Sequence, residues 1–375
     1  MQSADAFRID VPEEAGIAHR SVPPRVAVVA PSLEILGGQG VQAMALMAHL
    51  RSTGYPVSFV PVNPRFPPGL GWCRRLPLVR TALNEALYVP SLTRLRDAEV
   101  VHVYSASYWS FLLAPVPAML AARRYGKRVI LNYHSGEAED HLSHWGRLVH
   151  PMLRLADEIV VPSPYLQQVF ARHGYRSRVI RNVVDTDAFP FRDREPLRPH
   201  WLSVRAFQKH YRVDVVLRAF AQFRQLHPDA TLVVAGYGPE EARLKALAET
   251  LGTEGISFVG RVEPDNVPAL FARADIFVNA AEIDNQPVSV LEAFAAGLPV
   301  VSTGVGDITT MLRGGSAGVI VPCGNPAALA TAVRELFNDP GRTRRLVANA
   351  REEVRRYTWT GIGARWDAVY RGLPG

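Results

Sequence analysis

Between Asn279 and Thr303 the chain reads NAAEIDNQPVSVLEAFAAGLPVVST, and no other stretch narrows the possible folds as far. It begins at the end of an apolar run, DIFVNA, and finishes on a second, PVVST, both of which read as strands. Between them lie a polar loop, Glu282 to Gln286, and an Ala-rich helix predicted to begin near Pro287. Proline suits a first helical turn because its missing N–H would be unpaired there, and Gly297 suits the left-handed residue that ends a helix. The unit therefore presents a helix N-terminus in the crevice beyond a strand, where free amides and the helix dipole attract an anion such as a diphosphate. Asp284 stands eight residues before Glu292, so two acids frame that point. Carboxylates placed there would accept hydrogen bonds from sugar hydroxyls. The same residues also fit an ordinary strand–loop–helix unit whose acids are merely solvated.

The rest of the chain repeats this alternation. RVAVVA (25–30), AEVVHVY (98–104), KRVILNYH (127–134) and ADEIVVPS (156–163) are apolar runs separated by helical segments, and RVIRNVVDTDAF (178–189) reads as a last strand and turn. HWLSVR, TLVVA, the turn GYGPE and the strand 256–259 repeat the pattern beyond residue 200. Continuous apolar runs are the mark of parallel strands covered on both faces. About six per half predicts an α/β chain of two doubly wound sheets facing each other. Proline and charge crowd into residues 190–199, the expected linker, and 375 residues suit two domains. The expected division is a disordered leader over 1–24, a first domain over 25–190, a linker over 191–199 and a second domain over 200–356. A closing helix over 357–375 would cross back to the first domain. Gly38, Gly40 and Ala43 formally satisfy a dinucleotide fingerprint, but seven residues separate Gly38 from the strand and no acid follows the second strand.

These motifs resemble those of the GT-B glycosyltransferases of the glycosyltransferase 4 group, from about Arg25 to the end and most strongly from Arg205 to Pro322. Asp284 to Ser302 matches the family's paired acids, small-residue helix and Gly-x-Pro-Val-Val, except that the first acid is Asp and Asn285-Gln286-Pro287 replaces Gly-Phe-Gly. The resemblance implies a GT-B fold, two Rossmann-like domains around a cleft, and transfer of a hexose with retention from a nucleotide diphosphate sugar to an acceptor hydroxyl. It implies that Arg205 pairs with the donor diphosphate. Lys209 or Arg212 would stand in for a family lysine that this chain lacks at its usual place. Asp284 would hold sugar hydroxyls, Glu292 the ribose, and His134 the transferred sugar. Gly37 and Gly38 are donor-binding candidates in the first domain. In the second they are Gly236, Gly238, Arg261, Val262 and the helix start Asn285, Gln286, Pro287, Val288 and Ser289. Asn182 and Asp185 would shape a turn. No cofactor and no metal requirement is expected.

Charge and composition leave some partners open. Net charge is +7, with only three lysines, and the two cysteines fit no metal or redox spacing, which favours a reducing, cytoplasmic setting. No apolar stretch is long enough to span a bilayer. Residues 64–96 carry six arginines against one acid, Glu85, with Trp, Leu, Val and Tyr interleaved. Such a segment can lie on anionic lipid, as peripheral contact with the inner membrane face, line an acceptor groove, or be a solvated helix face. The acceptor itself would be a carbohydrate, a lipid-linked sugar or a small molecule. His134, Glu137, Asp140 and His141 could be taken for a metal cluster but lack helical ligand pairing. A nucleic-acid role rests on charge alone. Two other functions remain: a nucleotide-sugar epimerase on the same fold, and a non-catalytic binding subunit, which the altered acid and missing lysine motivate.

Overall fold

The computed structural model describes residues 22–32, 34 and 37–374, so the leader expected over 1–24 lies outside the described residues up to position 21. Among the described residues twelve strands divide into two six-stranded sheets. The first contains β1 (Val26–Ala30), β2 (Val57–Pro61), β3 (Val100–Ser105), β4 (Arg128–Tyr133), β5 (Glu158–Val161) and β6 (Arg178–Val179) in the order 2-1-3-4-5-6. The second contains β7 (His200–Val204), β8 (Thr231–Ala235), β9 (Ile256–Gly260), β10 (Ile276–Asn279), β11 (Val300–Thr303) and β12 (Val319–Val321) in the order 12-11-10-7-8-9. Every pairing is parallel. Chain order reverses between β1 and β3 in one sheet and between β7 and β10 in the other. Ligand crevices open beyond the carboxyl ends of strands at such reversals.

The apolar runs explain the layers. In β1, Ala27 and Val29 face one core with Val101, Val103 and Leu131, while Val26 and Val28 face another with Val100 and Ile130. The second face is closed by Leu46, Met47 and Leu50 of helix Gly38–Ser52, and by Ile362, Trp366, Val369 and Tyr370 of the last helix, Trp359–Arg371. The chain's end thus packs on the first sheet. Tyr370 hydrogen-bonds the buried His102 ring at 2.6 Å, and the Arg128 guanidinium reaches the Val369 carbonyl at 2.5 Å. Residues 190–199 contain no helix or strand and are pinned to the second sheet through Asp275, which receives Arg192 and Arg198. Burial alone would raise the Asp275 carboxyl; the Arg198 and Arg192 hydrogen bonds outweigh it and hold the group below its ordinary range.

Two segments differ from expectation. The helical segment between the runs at 98–104 and 127–134 breaks at Ala114 into Tyr108–Leu113 and Pro115–Arg124, since Pro115 cannot donate the bond that would continue it. The strand expected from Arg178 lasts two residues, and the turn after it is held by Asp185, whose side chain accepts from the amides of Asp187 and Ala188. The basic segment forms a short 3-10 turn at Gly71–Arg75, helix Pro77–Ser91 and a second 3-10 turn at Leu92–Asp97. Among the described residues no helix is long and apolar enough to cross a membrane.

Candidate active site

The reversal in the second sheet brings the end of β7 beside the end of β10, and these ends carry Arg205 and Asn279. The buried Asn279 amide is fixed at both atoms: its Oδ1 accepts from Arg205 Nε at 3.0 Å, and its Nδ2 donates to Ser302 Oγ at 2.9 Å. The Arg205 guanidinium lies 4.5 Å over the Tyr211 ring and forms an ion pair with Asp284. Both side chains are only 10% exposed, and burial lowers the Arg205 pKa. Two groups expected to serve a donor therefore satisfy each other here. Asn279 and Tyr211, which position the guanidinium, were not singled out from sequence; an amide ending an otherwise apolar strand was the available signal.

Asp284 sits where two chains crowd. A Cβ on Gly136, in the loop after β4, would lie 2.7 Å from the Asp284 carbonyl carbon, and one on Gly306 would lie 2.3 Å from its oxygen. Gly306 also has φ +57°, a region that favours glycine. The acid is thus clasped between the two sheets' loops. Helix Val288–Ala296 starts directly beyond it, with Pro287 as the cap residue in extended conformation and not, as expected, inside the first turn. Among the described residues no side chain caps this end, and no acid lies in its first turn. The Ser289 hydroxyl is buried without a hydrogen-bond partner among the described residues. Val288 is half-buried at the first helical position. Gly297 ends the helix at φ +79°, as its sequence position predicts. Glu292 is half-buried on the same helix, and loss of solvation raises it to about 7.

Asn285 and Gln286 are both buried, and their side chains reach the first domain. Asn285 Oδ1 accepts from the Ser163 hydroxyl and its Nδ2 donates to the His134 carbonyl at 3.4 Å. Gln286 Oε1 accepts from the Asn182 amide at 2.7 Å, and its Nδ-equivalent nitrogen, Nε2, donates to the Pro162 carbonyl at 2.9 Å and to Asp307 at 2.8 Å. Asn182, expected to shape a turn, instead spans the two sheets. The reason is packing: two long amides in place of small or apolar residues reach the facing loop and satisfy its polar groups.

From the first sheet, His134 follows β4 and packs on Tyr104 with ring centroids 5.2 Å apart. Burial lowers its pKa to about 4, so the ring is neutral, and its Nε2 has no partner among the described residues. His141 is fully buried against the Tyr133 hydroxyl at 2.8 Å, and no group of three or more metal-ligating side chains forms among the described residues. Gly37 caps helix Gly38–Ser52 and Gly38 opens it; a Cβ on either would meet none of the described residues within 4 Å. Arg261 is exposed and donates to the Glu34 carbonyl at 2.5 Å, bridging to the loop after β1, while Val262 is half-buried beyond β9.

The remaining candidates divide. Gly236 and Gly238 have φ of +151° and +155°, and a Cβ on them would strike the carbonyls of Arg205 at 1.8 Å and Phe207 at 2.6 Å. Passage over the segment that carries Arg205 accounts for both glycines. Arg212 is neutralised by Asp214 at 3.1 Å and by Glu282. Lys209 is exposed on the 3-10 turn Lys209–Tyr211, with no side-chain partner among the described residues. Of the two cations, Lys209 is the one whose charge is available.

Comparison with known proteins follows the same division. Residues 36–188 match the model for Glycosyltransferase Family 4, and residues 189–353 match that for Glycosyl transferases group 1. A D-inositol 3-phosphate glycosyltransferase from Acidothermus cellulolyticus is 26% identical over 432 aligned positions, spanning 97% of this chain and 95% of its own length. A glycogen synthase from Mycobacterium tuberculosis is 28% identical over 289 positions, spanning 72% of this chain and 68% of its own. The structure of Anabaena Alr3699/HepE in complex with UDP-glucose superposes with a TM-score of 0.72 at 17% identity, covering 93% of this chain and all of that one. Sucrose-phosphate synthase from Thermosynechococcus elongatus gives 0.70 at 19% identity, over 93% of this chain and 98% of its own.

Proposed function

This chain belongs to the GT-B glycosyltransferases of the family 4 and group 1 type, and we propose that it transfers a hexose from a nucleotide diphosphate sugar to an acceptor hydroxyl with retention of configuration. The observation that carries the reading is the meeting of Arg205 and Asp284 at the uncapped start of helix Val288–Ala296, between the facing sheets. A guanidinium suits a diphosphate, the helix end adds amides and a positive dipole, and Lys209 adds an ammonium from the 3-10 turn that also carries Tyr211. On donor binding the diphosphate takes Arg205, and Asp284 is released to accept hydrogen bonds from the sugar. Glu292, once ionised, accepts from the ribose hydroxyls.

The chemistry then needs no protein nucleophile. The acceptor oxygen attacks the anomeric carbon from the side the phosphate leaves. The bond between that carbon and the phosphate oxygen breaks, and the departing phosphate oxygen receives the acceptor's proton. A glycoside of unchanged configuration and a nucleoside diphosphate result. Charge building on the leaving phosphates is met by Arg205, Lys209 and the helix amides, an electrostatic contribution of the kind that dominates many transferases. Neutral His134 orients the transferred sugar through its unpartnered nitrogen. We place the reaction in the cytoplasm, with no metal ion in the transfer step and a carbohydrate, lipid-linked sugar or small molecule as acceptor.

The test is a panel of UDP-, GDP-, ADP- and dTDP-sugars, scored first by the rise in melting temperature each produces, because a ligand selective for the folded state raises it. The donor so found is supplied with candidate acceptors, and product configuration is read by NMR with and without EDTA. The expected product keeps the donor's configuration and forms equally in EDTA. Donor isomerisation without acceptor, or binding with neither hydrolysis nor transfer, would replace the transferase reading with an epimerase or a binding subunit.

A further inference from the structure

Helix Pro77–Ser91 is apolar on the face it turns away from the protein as well as toward it. Its buried and half-buried side carries Thr81, Leu83, Asn84, Glu85, Leu87 and Tyr88, and the Asn84 side chain donates to the Val62 carbonyl at 2.8 Å. The side facing away from the protein is Leu78, Val79, Ala82, Ala86, Val89 and Pro90, all exposed and none able to hydrogen-bond through its side chain. Leu78 is 87% exposed, Val89 48% and Val79 42%. At 100° per residue these six positions fall within about a third of the helix circumference, along about 18 Å of its length. Trp72, 58% exposed, and Leu76, 47% exposed, extend the patch from the preceding turn. An apolar strip of this extent on a single helix face marks a surface that is covered in use.

Charge selects the covering surface. Residues 64–96 hold six arginines and one acid, and that acid, Glu85, lies on the half-buried side, where loss of solvation raises its pKa. Arg80 on the helix and Arg94 and Arg96 just beyond it are exposed. Three exposed arginines against one exposed acid, Asp97 at the end of the second 3-10 turn, leave the surroundings of the strip cationic and complementary to an anionic, apolar sheet. We propose that helix Pro77–Ser91 lies flat on an anionic lipid bilayer, with Leu78, Val79 and Val89 in the acyl boundary and the arginines at the headgroups. The inference is independent of the transfer reaction: it fixes where the protein sits, whatever it transfers.

Flotation of the full chain with vesicles of phosphatidylcholine, alone or mixed with phosphatidylglycerol, tests it. Binding is expected only to the mixed vesicles, weakening as salt is raised. The L78E/V89E variant should bind more weakly by about tenfold or more, and R80E/R94E should lose the preference for phosphatidylglycerol. Unchanged circular dichroism melting serves as the folding control, with L78S/V89S as the milder variant if the glutamates disturb it. Absence of vesicle binding overturns the proposal, as does binding that survives L78E/V89E. So does light scattering that shows a dimer dispersed by L78E/V89E with no binding to vesicles, which would assign the strip to a second copy of this chain.

Discussion

Gln286 and Asn182 hold each other by two hydrogen bonds, Asn182 N to Gln286 Oε1 at 2.7 Å and Asn182 Nδ2 to the Gln286 carbonyl at 2.8 Å. They come from opposite domains, 104 residues apart, and both are buried. Gln286 also donates to Asp307, whose carboxyl burial raises despite that bond. The loop that carries Asp284 is thereby fastened to the first domain one residue away from Asn285, which makes its own bonds there. Domain closure and the site are the same structure.

Gln286→Ala should break this fastening. It leaves buried groups on Asn182, Pro162 and Asp307 without their partner, a loss of about 1–3 kcal/mol. The expected result is a melting temperature a few degrees lower, with a larger radius of gyration in solution scattering. A variant as compact and as stable as the wild type would show that the bonds do not hold the domains together.

Arg205→Ala removes the cation proposed for the diphosphate, and charge-assisted hydrogen bonds of this type contribute about 1.5–3 kcal/mol. Donor affinity, read from calorimetry with the nucleotide sugar that stabilises the wild type, should fall by roughly 10- to 100-fold. Asn182→Ala, which touches the domain contact and not the guanidinium, should weaken it less. Equal affinities for the two variants would remove Arg205 from the donor site.

Glu292 gives a pH signature. Its folded-state pKa is about 7, whereas an unfolded glutamate titrates at about 4.3. Between these values the folded protein binds a proton that the unfolded chain lacks, so this group's contribution to stability falls as pH rises through the window and is constant above it. Glu292→Gln should therefore gain on the wild type in urea melts between about pH 5 and about pH 8, by up to about 3 kcal/mol. Donor affinity of the wild type should rise over the same range as the carboxylate forms, and a parallel stability profile for Gln would refute the shift.

Glycine positions separate close approach from open space. Gly136→Ala places a Cβ 2.7 Å from the Asp284 backbone, and the displacement needed should cost about 1–3 kcal/mol and weaken donor binding. Gly361→Ala, in the last helix with nothing within 4 Å, should stabilise by up to about 1 kcal/mol through helix propensity. Thermal melts of the two variants moving in the same direction would contradict the packing described.

The chain's order alone determined the two parallel sheets, the strand ends that carry Arg205 and His134, the helix start beyond Asp284 and the left-handed Gly297. These follow from local rules: apolar runs that need cover on both faces, prolines and glycines that start and stop helices, and crossovers that leave strand ends on one edge. Tertiary structure decided which polar groups meet. Asn285 and Gln286 stand where the family's phosphate-side loop is expected, yet their amides serve Ser163 and Asn182 from more than a hundred residues earlier. Asn279 fixes Arg205 because β7 and β10 are neighbours in the sheet though 72 residues apart from end to start. One apolar face of helix Pro77–Ser91 points outward, while Tyr88 and Asn84, which find partners underneath, and the half-buried Leu83 and Leu87 take the other side. Periodicity reports that a helix has two unlike faces; only the neighbours that the fold supplies decide which of them is covered.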